Sequence, residues 1–195
     1  MSTGWSAATD APDDDTVVAA TRRWIERAVI GLNLCPFARA PYLGDRVRLQ
    51  VSRARSADDL ITDLCDELST LQEHESDSLE TTLLIHPFVF NDFLAFNDFL
   101  DAADRALEAL SLDGEIQLAS FHPDYQFDGT DADDVANCTN RSPYPILHLL
   151  RESSVDRAVA TMADTDAIYQ RNIETLRSLG HAGWQKLWHA DDRHG

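Results

Sequence analysis

The chain has 195 residues, 44% of them hydrophobic and 8% aromatic, which is enough for one globular domain with a sizeable core. Its 34 Asp and Glu residues outnumber 16 Lys and Arg, and the formal net charge of −18 repels nucleic-acid phosphates and anionic lipids. No apolar run is long enough for a membrane span, the start of the chain is unlike a secretory signal, and three scattered cysteines are no disulfide framework. We therefore expect a cytoplasmic protein with neither a nucleic-acid nor a membrane partner, and its acidic composition is typical of halophilic or salt-tolerant sources.

The chain is expected to contain one domain between two polar ends. Residues 1–14 are small, polar and acidic, and they are predicted to be disordered. Residues 15–183 are predicted to form a single α/β domain. Residues 184–195 are predicted to be a polar C-terminal tail, in which Trp184 and Trp188 dock on the domain.

Hydrophobic periodicity predicts five helices and four strands. In chain order they are a helix over residues 16–31, a strand over 46–52, a helix capped by Ser56, a strand over 81–86, a helix over 92–110, strands over 116–121 and 146–150, a helix opened by Ser153, and a helix ending at Gly180. Alternating strands and helices predict an α/β sandwich, with a mostly parallel four-stranded sheet flanked by about five helices. The last strand follows a long loop and could run antiparallel. A ferredoxin-like α+β arrangement is the alternative.

Two histidines mark the ends of predicted strands. His86 and His122 are each followed by proline, which restricts the local backbone. If the two strands are parallel, both side chains emerge at the carboxyl edge of the sheet, where ligand sites of open α/β sheets gather. Strands about 4.8 Å apart would bring the two imidazoles within reach of one metal, water or substrate. The alternative is that each ring ends its strand and bonds a backbone carbonyl.

A polar loop precedes the last predicted strand. Asn137, Asn140, Arg141 and Ser142 lie there, and an antiparallel last strand would bring them beside His122. Arginine and asparagine together suit a carboxylate or phosphate, through a bidentate fork and amide donors. These residues are therefore candidate substrate-binding groups. The alternative is a structured loop in which Asn and Ser side chains cap backbone groups.

The cysteine and metal chemistry is less specific. Cys35 lies in a Cys-Pro-Phe sequence similar to the active-site turn of glutaredoxin-like and glutathione-transferase proteins, but it follows a helix where those proteins have a strand. It is either a catalytic thiol or a buried structural cysteine. A metal site of His86, His122 and Asp124 would suit a divalent ion such as zinc or iron, although no closely spaced ligand pair supports it. His148 lies between two leucines and is interpreted as a core histidine.

Four motifs together resemble an uncharacterised bacterial family, catalogued as domain of unknown function 1415. They are LNLCPFA (32–38), HP (86–87), FHP (121–123) and NRSPYP (140–145). The resemblance covers about residues 16–183 and implies neither a fold nor an activity.

The residues favour a small-molecule enzyme that acts on an anionic carboxylate or phosphate substrate. In this interpretation His122 and His86 are general acid–base groups or metal ligands, and Cys35 is a nucleophilic or auxiliary thiol. Arg141 and Asn140 hold the anion. The alternative is a non-catalytic ligand-binding or assembly module, and the oligomeric state stays open.

Overall fold

The computed structural model describes residues 11–160 and 166–188, which form one four-stranded sheet with helices on both faces. The strands are β1 (Val47–Val51), β2 (Thr81–Ile85), β3 (Ile116–Phe121) and β4 (Ile146–Arg151). The α-helices are α1 (Asp14–Trp24), α2 (Arg39–Leu43), α3 (Ala57–Glu73), α4 (Phe93–Ala109), α5 (Glu152–Ala160) and α6 (Asp166–Lys186). A π-helix, Ile25–Ile30, continues α1, and a 3-10 helix, Val135–Thr139, precedes β4.

The strand order corrects the predicted topology. The order is β1-β2-β4-β3, in which only β1 and β2 pair in parallel and the other two pairs are antiparallel. The α/β class is confirmed, but the prediction of a mostly parallel sheet is wrong, because β4 returns antiparallel and inserts between β2 and β3. The chain order β-α-β-α-β-β also differs from the β-α-β-β-α-β order of ferredoxin-like domains.

Capping side chains set the start of three helices. Asp13, Ser56 and Asp92 each accept a hydrogen bond from the backbone N–H three residues further on, at 2.7, 3.2 and 2.9 Å. Each bond satisfies an N–H group that has no partner within its helix. The segment predicted to be disordered, 1–14, lies mostly outside the described residues, and its last residue, Asp14, is already helical.

The described C-terminal part has a helix break at Gly180 and two tryptophans packed on the domain. Gly180 has a φ of 64°, a conformation that favours glycine, and separates two helical parts within α6, which confirms the predicted helix end at Gly180; the second part runs to Lys186. Trp184 and Trp188 are partly buried against the core beside α1, where docking was expected. None of the described helices is both long enough and apolar enough to cross a bilayer.

The two faces of the sheet are covered differently. Leu147 and Leu149 of β4 point into a large core built with α3 and α4. Ile146 and His148 alternate with them and therefore point to the other face, where α1 and the π-helix lie. α1 and the π-helix cover only part of this face. The remainder, near the start of β2, contains the candidate site.

Candidate functional site

A cavity of about 340 Å³ lies between the sheet, the π-helix, α2 and α5, and we call it the sheet cavity. Its walls are mainly apolar and include Trp24, Ile25, Val29, Phe37, Leu83, Ala119, Phe121, Leu150, Val155 and Val159. The polar lining residues are Cys35, Tyr42, Glu80, Thr81, Gln117, His148, Arg151 and Ser154. An apolar cavity of this size with a few convergent polar groups is typical of small-molecule sites.

His148 contributes a defined hydrogen-bond acceptor to this cavity. Its Nε2 lies 2.8 Å from Oγ1 of Thr81, and that hydroxyl donates to the carbonyl of Leu149 at 2.6 Å. Because the hydroxyl has one hydrogen, Nε2 must carry the proton and donate it to Oγ1. Nδ1 then keeps its lone pair, and no hydrogen bond from the described residues reaches it.

The strand register explains why there is space around this ring. His148 lies opposite Leu83 on β2 and Ala119 on β3. The small side chain of Ala119 leaves volume that a branched residue would fill. Phe121 closes one side, with its ring centroid 5.9 Å from that of His148 and 5.0 Å from that of Trp24. Burial lowers the pKa of His148 to about 4, so the ring is neutral at neutral pH.

Cys35 reaches the same cavity from the loop between the π-helix and α2. Asn33 adopts a φ of 54°, which turns the chain, and the Cys35 carbonyl accepts a bond from the N–H of Ala38 at 3.3 Å. Burial raises the pKa of the Cys35 thiol, although backbone N–H groups of Phe37 and Ala38 oppose this by stabilising the thiolate. Among the described residues no hydrogen bond joins Cys35 to His148, so the two do not form a thiolate–imidazolium pair.

His86 and His122 lie at the same edge of the sheet, because β2 and β3 run in the same direction on either side of β4. Both rings pack on Phe96, with centroid distances of 5.0 Å for His86 and 5.7 Å for His122. Both side chains are fully buried. They are close to each other, but they lie among core residues, outside the lining of the sheet cavity.

Backbone groups engage both rings. Nδ1 of His86 lies 3.1 Å from the Val89 carbonyl, and Nε2 of His122 lies 3.1 Å from the Phe90 carbonyl. The backbone N–H of Asp124 donates to Nδ1 of His122 at 3.0 Å, so both nitrogens of that ring are used. Nε2 of His86 has no partner among the described residues. This is the alternative in which each ring ends its strand and bonds the backbone.

The predicted metal site at His86, His122 and Asp124 gains no support from the described residues. Among the described residues, no three His, Cys, Asp or Glu side chains lie where they could hold one ion. Asp124 meets His122 through its backbone N–H and not through its carboxylate. The combination of His86, His122 and Asp124 therefore gives no support for zinc or iron.

Arg141 holds the loop that precedes it. Its Nε donates to the Tyr125 carbonyl at 3.1 Å and its Nη2 to the Ala132 carbonyl at 2.6 Å. The hydroxyl of Ser142 donates to the carbonyl of Tyr144 at 2.6 Å. These donors bind backbone carbonyls of the loop, so Nε and Nη2 of Arg141 are not free for a bidentate bond to an anion. The anion clamp therefore stays a prediction.

The two asparagines are used in a similar way. Asn137 is fully buried, and its Oδ1 accepts from the N–H of Phe127 at 3.0 Å while its Nδ2 donates to the carbonyl of Asp131 at 2.9 Å. Asn140 reaches the carbonyl of Ser120 at 3.5 Å. The polar composition of this loop is accounted for by its own folding, as loops must satisfy their backbone groups.

The sequence analysis gave His148 a core role and did not consider Thr81 as a candidate site residue. Both lie in apolar runs, where a polar residue is usually satisfied within the core. One signal could have identified the cavity. On one face of the sheet, Thr81 of β2, His148 of β4 and Ala119 of β3 are small or polar residues among bulky apolar side chains. That signal depends on the register, which becomes available only with the fold.

Comparison with known proteins establishes the family and leaves the activity open. The family model described as protein of unknown function (DUF1415) matches residues 16–186, close to the range of the sequence motifs. No curated protein and no solved structure matches the chain. The matched range includes every strand of the sheet and both sides of the sheet cavity. This chain belongs to the DUF1415 family.

Proposed function

We propose that the protein is a small-molecule enzyme whose substrate occupies the sheet cavity, with His148 as the group that accepts a proton from it. The observation that carries the proposal is the unpartnered Nδ1 of His148, a residue that lines a mainly apolar cavity of about 340 Å³. A base must lie within hydrogen-bond reach of the proton that it takes, and His148 lines the cavity in which the substrate would lie.

The neighbours of His148 fit this role. When Nδ1 accepts a proton, the ring becomes positively charged, and the hydrogen bond from Nε2 to Thr81 strengthens. Thr81 in turn donates to the Leu149 carbonyl, which fixes the ring orientation and the tautomer. The pKa of about 4 makes the neutral ring a weak base, but negative charge that develops on a bound substrate would raise this pKa.

A non-catalytic ligand-binding module is the second candidate. The raised pKa of the Cys35 thiol favours it, because an activated nucleophile requires the thiolate. In the enzyme, Cys35 acts as a neutral wall of the cavity or as an auxiliary proton donor. The His86–His122 pair and the Arg141 loop are left out of both functions, because backbone groups bond Nδ1 of His86, both nitrogens of His122 and the guanidinium of Arg141.

The test is a screen of small metabolites by thermal shift, followed by mass spectrometry of the incubated hits. A ligand stabilises the state that it binds, so hits should raise the unfolding temperature of the full chain. Ala119→Leu, which fills the sheet cavity, should abolish these shifts, whereas Ala102→Leu on α4 should leave them unchanged.

The same hits separate the two functions. Product formation that is lost in His148→Phe and retained in the exposed-site control His74→Gln supports the enzyme. Stoichiometric binding without product in the wild type supports the binding module. Thermal shifts that persist in Ala119→Leu would contradict both, because the ligand would then bind elsewhere.

A further inference from the structure

The polarity of the sheet cavity restricts the chemistry of its ligand. We propose that the ligand is a neutral, mainly apolar molecule with one O–H or N–H group, which donates a hydrogen bond to Nδ1 of His148. Carboxylates and phosphates are excluded from this position. The inference rests on the proposed use of the cavity as a ligand site and specifies what that site recognises.

The direction of the hydrogen-bond chain carries the argument. Oγ1 of Thr81 and the Leu149 carbonyl are 2.6 Å apart, a distance that requires a hydrogen between the two oxygens. The hydroxyl hydrogen is therefore used, and His148 must donate from Nε2. The reverse tautomer would place the lone pairs of Nε2 and Oγ1 against each other at 2.8 Å. Hence Nδ1 can only accept, and its ligand must be a donor.

The charged residues at the cavity give an anion no compensation. Nε and Nη2 of Arg151 donate to the carbonyls of Leu71, His74 and Leu79, which places the guanidinium charge at the C-terminal end of α3. Glu80 lies at the same side of the cavity, where its carboxylate already pairs with Arg46 and lies 3.8 Å from Nη2 of Arg157, so these two arginines are engaged as well. A carboxylate would be desolvated there and would face the Nδ1 lone pair, which makes its burial costly.

The rest of the lining of the sheet cavity favours a bulky, apolar ligand. Trp24, Leu83, Phe121 and Val155 come from four different elements and enclose the ligand with hydrocarbon. Burial of apolar surface therefore supplies the affinity, and the hydrogen bond to Nδ1 of His148 supplies the orientation. A hydroxylated bicyclic aromatic compound matches this combination of size and polarity.

The experiment titrates the full chain with three probes of similar shape, namely 2-naphthol, naphthalene and 2-naphthoate, at about pH 7.5. One hydrogen bond to an otherwise empty acceptor should make 2-naphthol bind about five-fold more tightly than naphthalene. The desolvated carboxylate should make 2-naphthoate bind at least about ten-fold more weakly than naphthalene. Binding is followed by calorimetry and by the ¹⁵N signals of His148, which also report the tautomer.

Two neighbouring threonines on β2 provide a matched pair of variants. Thr81→Val removes the hydroxyl that fixes the His148 tautomer and should reduce the preference for 2-naphthol. Thr82→Val removes a hydroxyl that has no partner among the described residues and faces the opposite side of the sheet, so the preference should be unchanged. Both replacements keep the branched shape of the side chain.

The possible outcomes distinguish this inference from the proposed function. If none of the probes binds, the cavity is not a site for molecules of this size, and both proposals fail. If naphthalene binds as tightly as 2-naphthol, or if 2-naphthoate binds most tightly, the polarity inference is overturned while the cavity remains a ligand site. Equal loss of selectivity in Thr81→Val and Thr82→Val would also overturn it, since only the first touches the ring.

Discussion

Replacement of the buried His86 should make the stability of this protein less sensitive to acid. The ring is fully buried, it packs on Phe96, and its Nε2 has no partner among the described residues. A charge on this ring would be desolvated, and burial therefore lowers the pKa of His86 from 6.5 to about 4. In His86→Leu this titration is removed, while His122 and His148 are retained.

The sign and size of the effect follow from proton linkage. Below about pH 6.5 the unfolded chain binds a proton at His86 that the native state does not accept until about pH 4. The stability of the wild type is therefore complete above the unfolded pKa and is lost as the pH falls towards the folded one. Compared with its value at about pH 8, the free energy of unfolding is lowered by the titration of His86 by about 2 kcal/mol at pH 5 and about 3 kcal/mol at pH 4.

Urea unfolding monitored by tryptophan fluorescence between about pH 5 and pH 8 measures the difference. At pH 8 His86→Leu should be less stable than the wild type by about 1 to 2 kcal/mol, because the Val89 carbonyl loses its donor. By pH 5 the difference in the free energy of unfolding between the wild type and His86→Leu should disappear or change sign. The many carboxylates titrate in both proteins and cancel. A gap that stays constant with pH would refute the reasoning, and the exposed His74→Gln provides the control.

Further predictions concern the structural bonds and the thiols. Arg151→Met should lower the free energy of unfolding by about 2 to 3 kcal/mol, since three carbonyls lose a charged donor, whereas the exposed Arg157→Met should change it by less than about 0.5 kcal/mol in the same urea titration. Asn137→Leu removes hydrogen bonds to the loop over residues 126–134, so proteinase K should cleave this loop faster than in the wild type, as read by mass spectrometry. An unchanged cleavage pattern would show that these bonds do not hold the loop. Cys138, 1% exposed, should be the slowest of the three cysteines to react with iodoacetamide, and rapid native-state labelling would contradict its burial.

Local sequence patterns predicted the elements well. The strand over residues 116–121 has the bounds predicted from its apolar run, and Ser56 caps its helix as the spacing to Asp59 indicates. These features depend on neighbours a few residues apart, so the sequence contains them directly. The short helix α2 and the 3-10 helix were not predicted, because neither is long enough to show a period.

Local sequence patterns did not predict the order in which the strands pair. The helix between β2 and β3 indicates that the two strands run in the same direction, and they do, but it does not indicate whether a third strand lies between them. The placement of β4 depends on a loop of about 25 residues whose conformation is set by the buried Asn137 and by Arg141. Long-range contacts of this kind leave no periodic signal.

The candidate site depends on that same placement. The sequence drew attention to His86 and His122 because each ends a strand, and the structure places them together at one edge. The sequence could not show that backbone groups bond Nδ1 of His86 and both nitrogens of His122. His148 became a site residue only through its register with Ala119, and no local property distinguishes it from a core histidine.

The position of β4 also constrains the order in which the chain can fold as it is synthesised. Within the described residues β3 has a single neighbour in the sheet, and that neighbour, β4, is the last of the four strands to leave the ribosome. Until residues 146–151 emerge, β1 and β2 can pair, but β3 has no ladder to join and its backbone groups stay unpaired. A nascent chain that is arrested before β4 therefore presents an open strand, which is the form most exposed to chaperones and to aggregation.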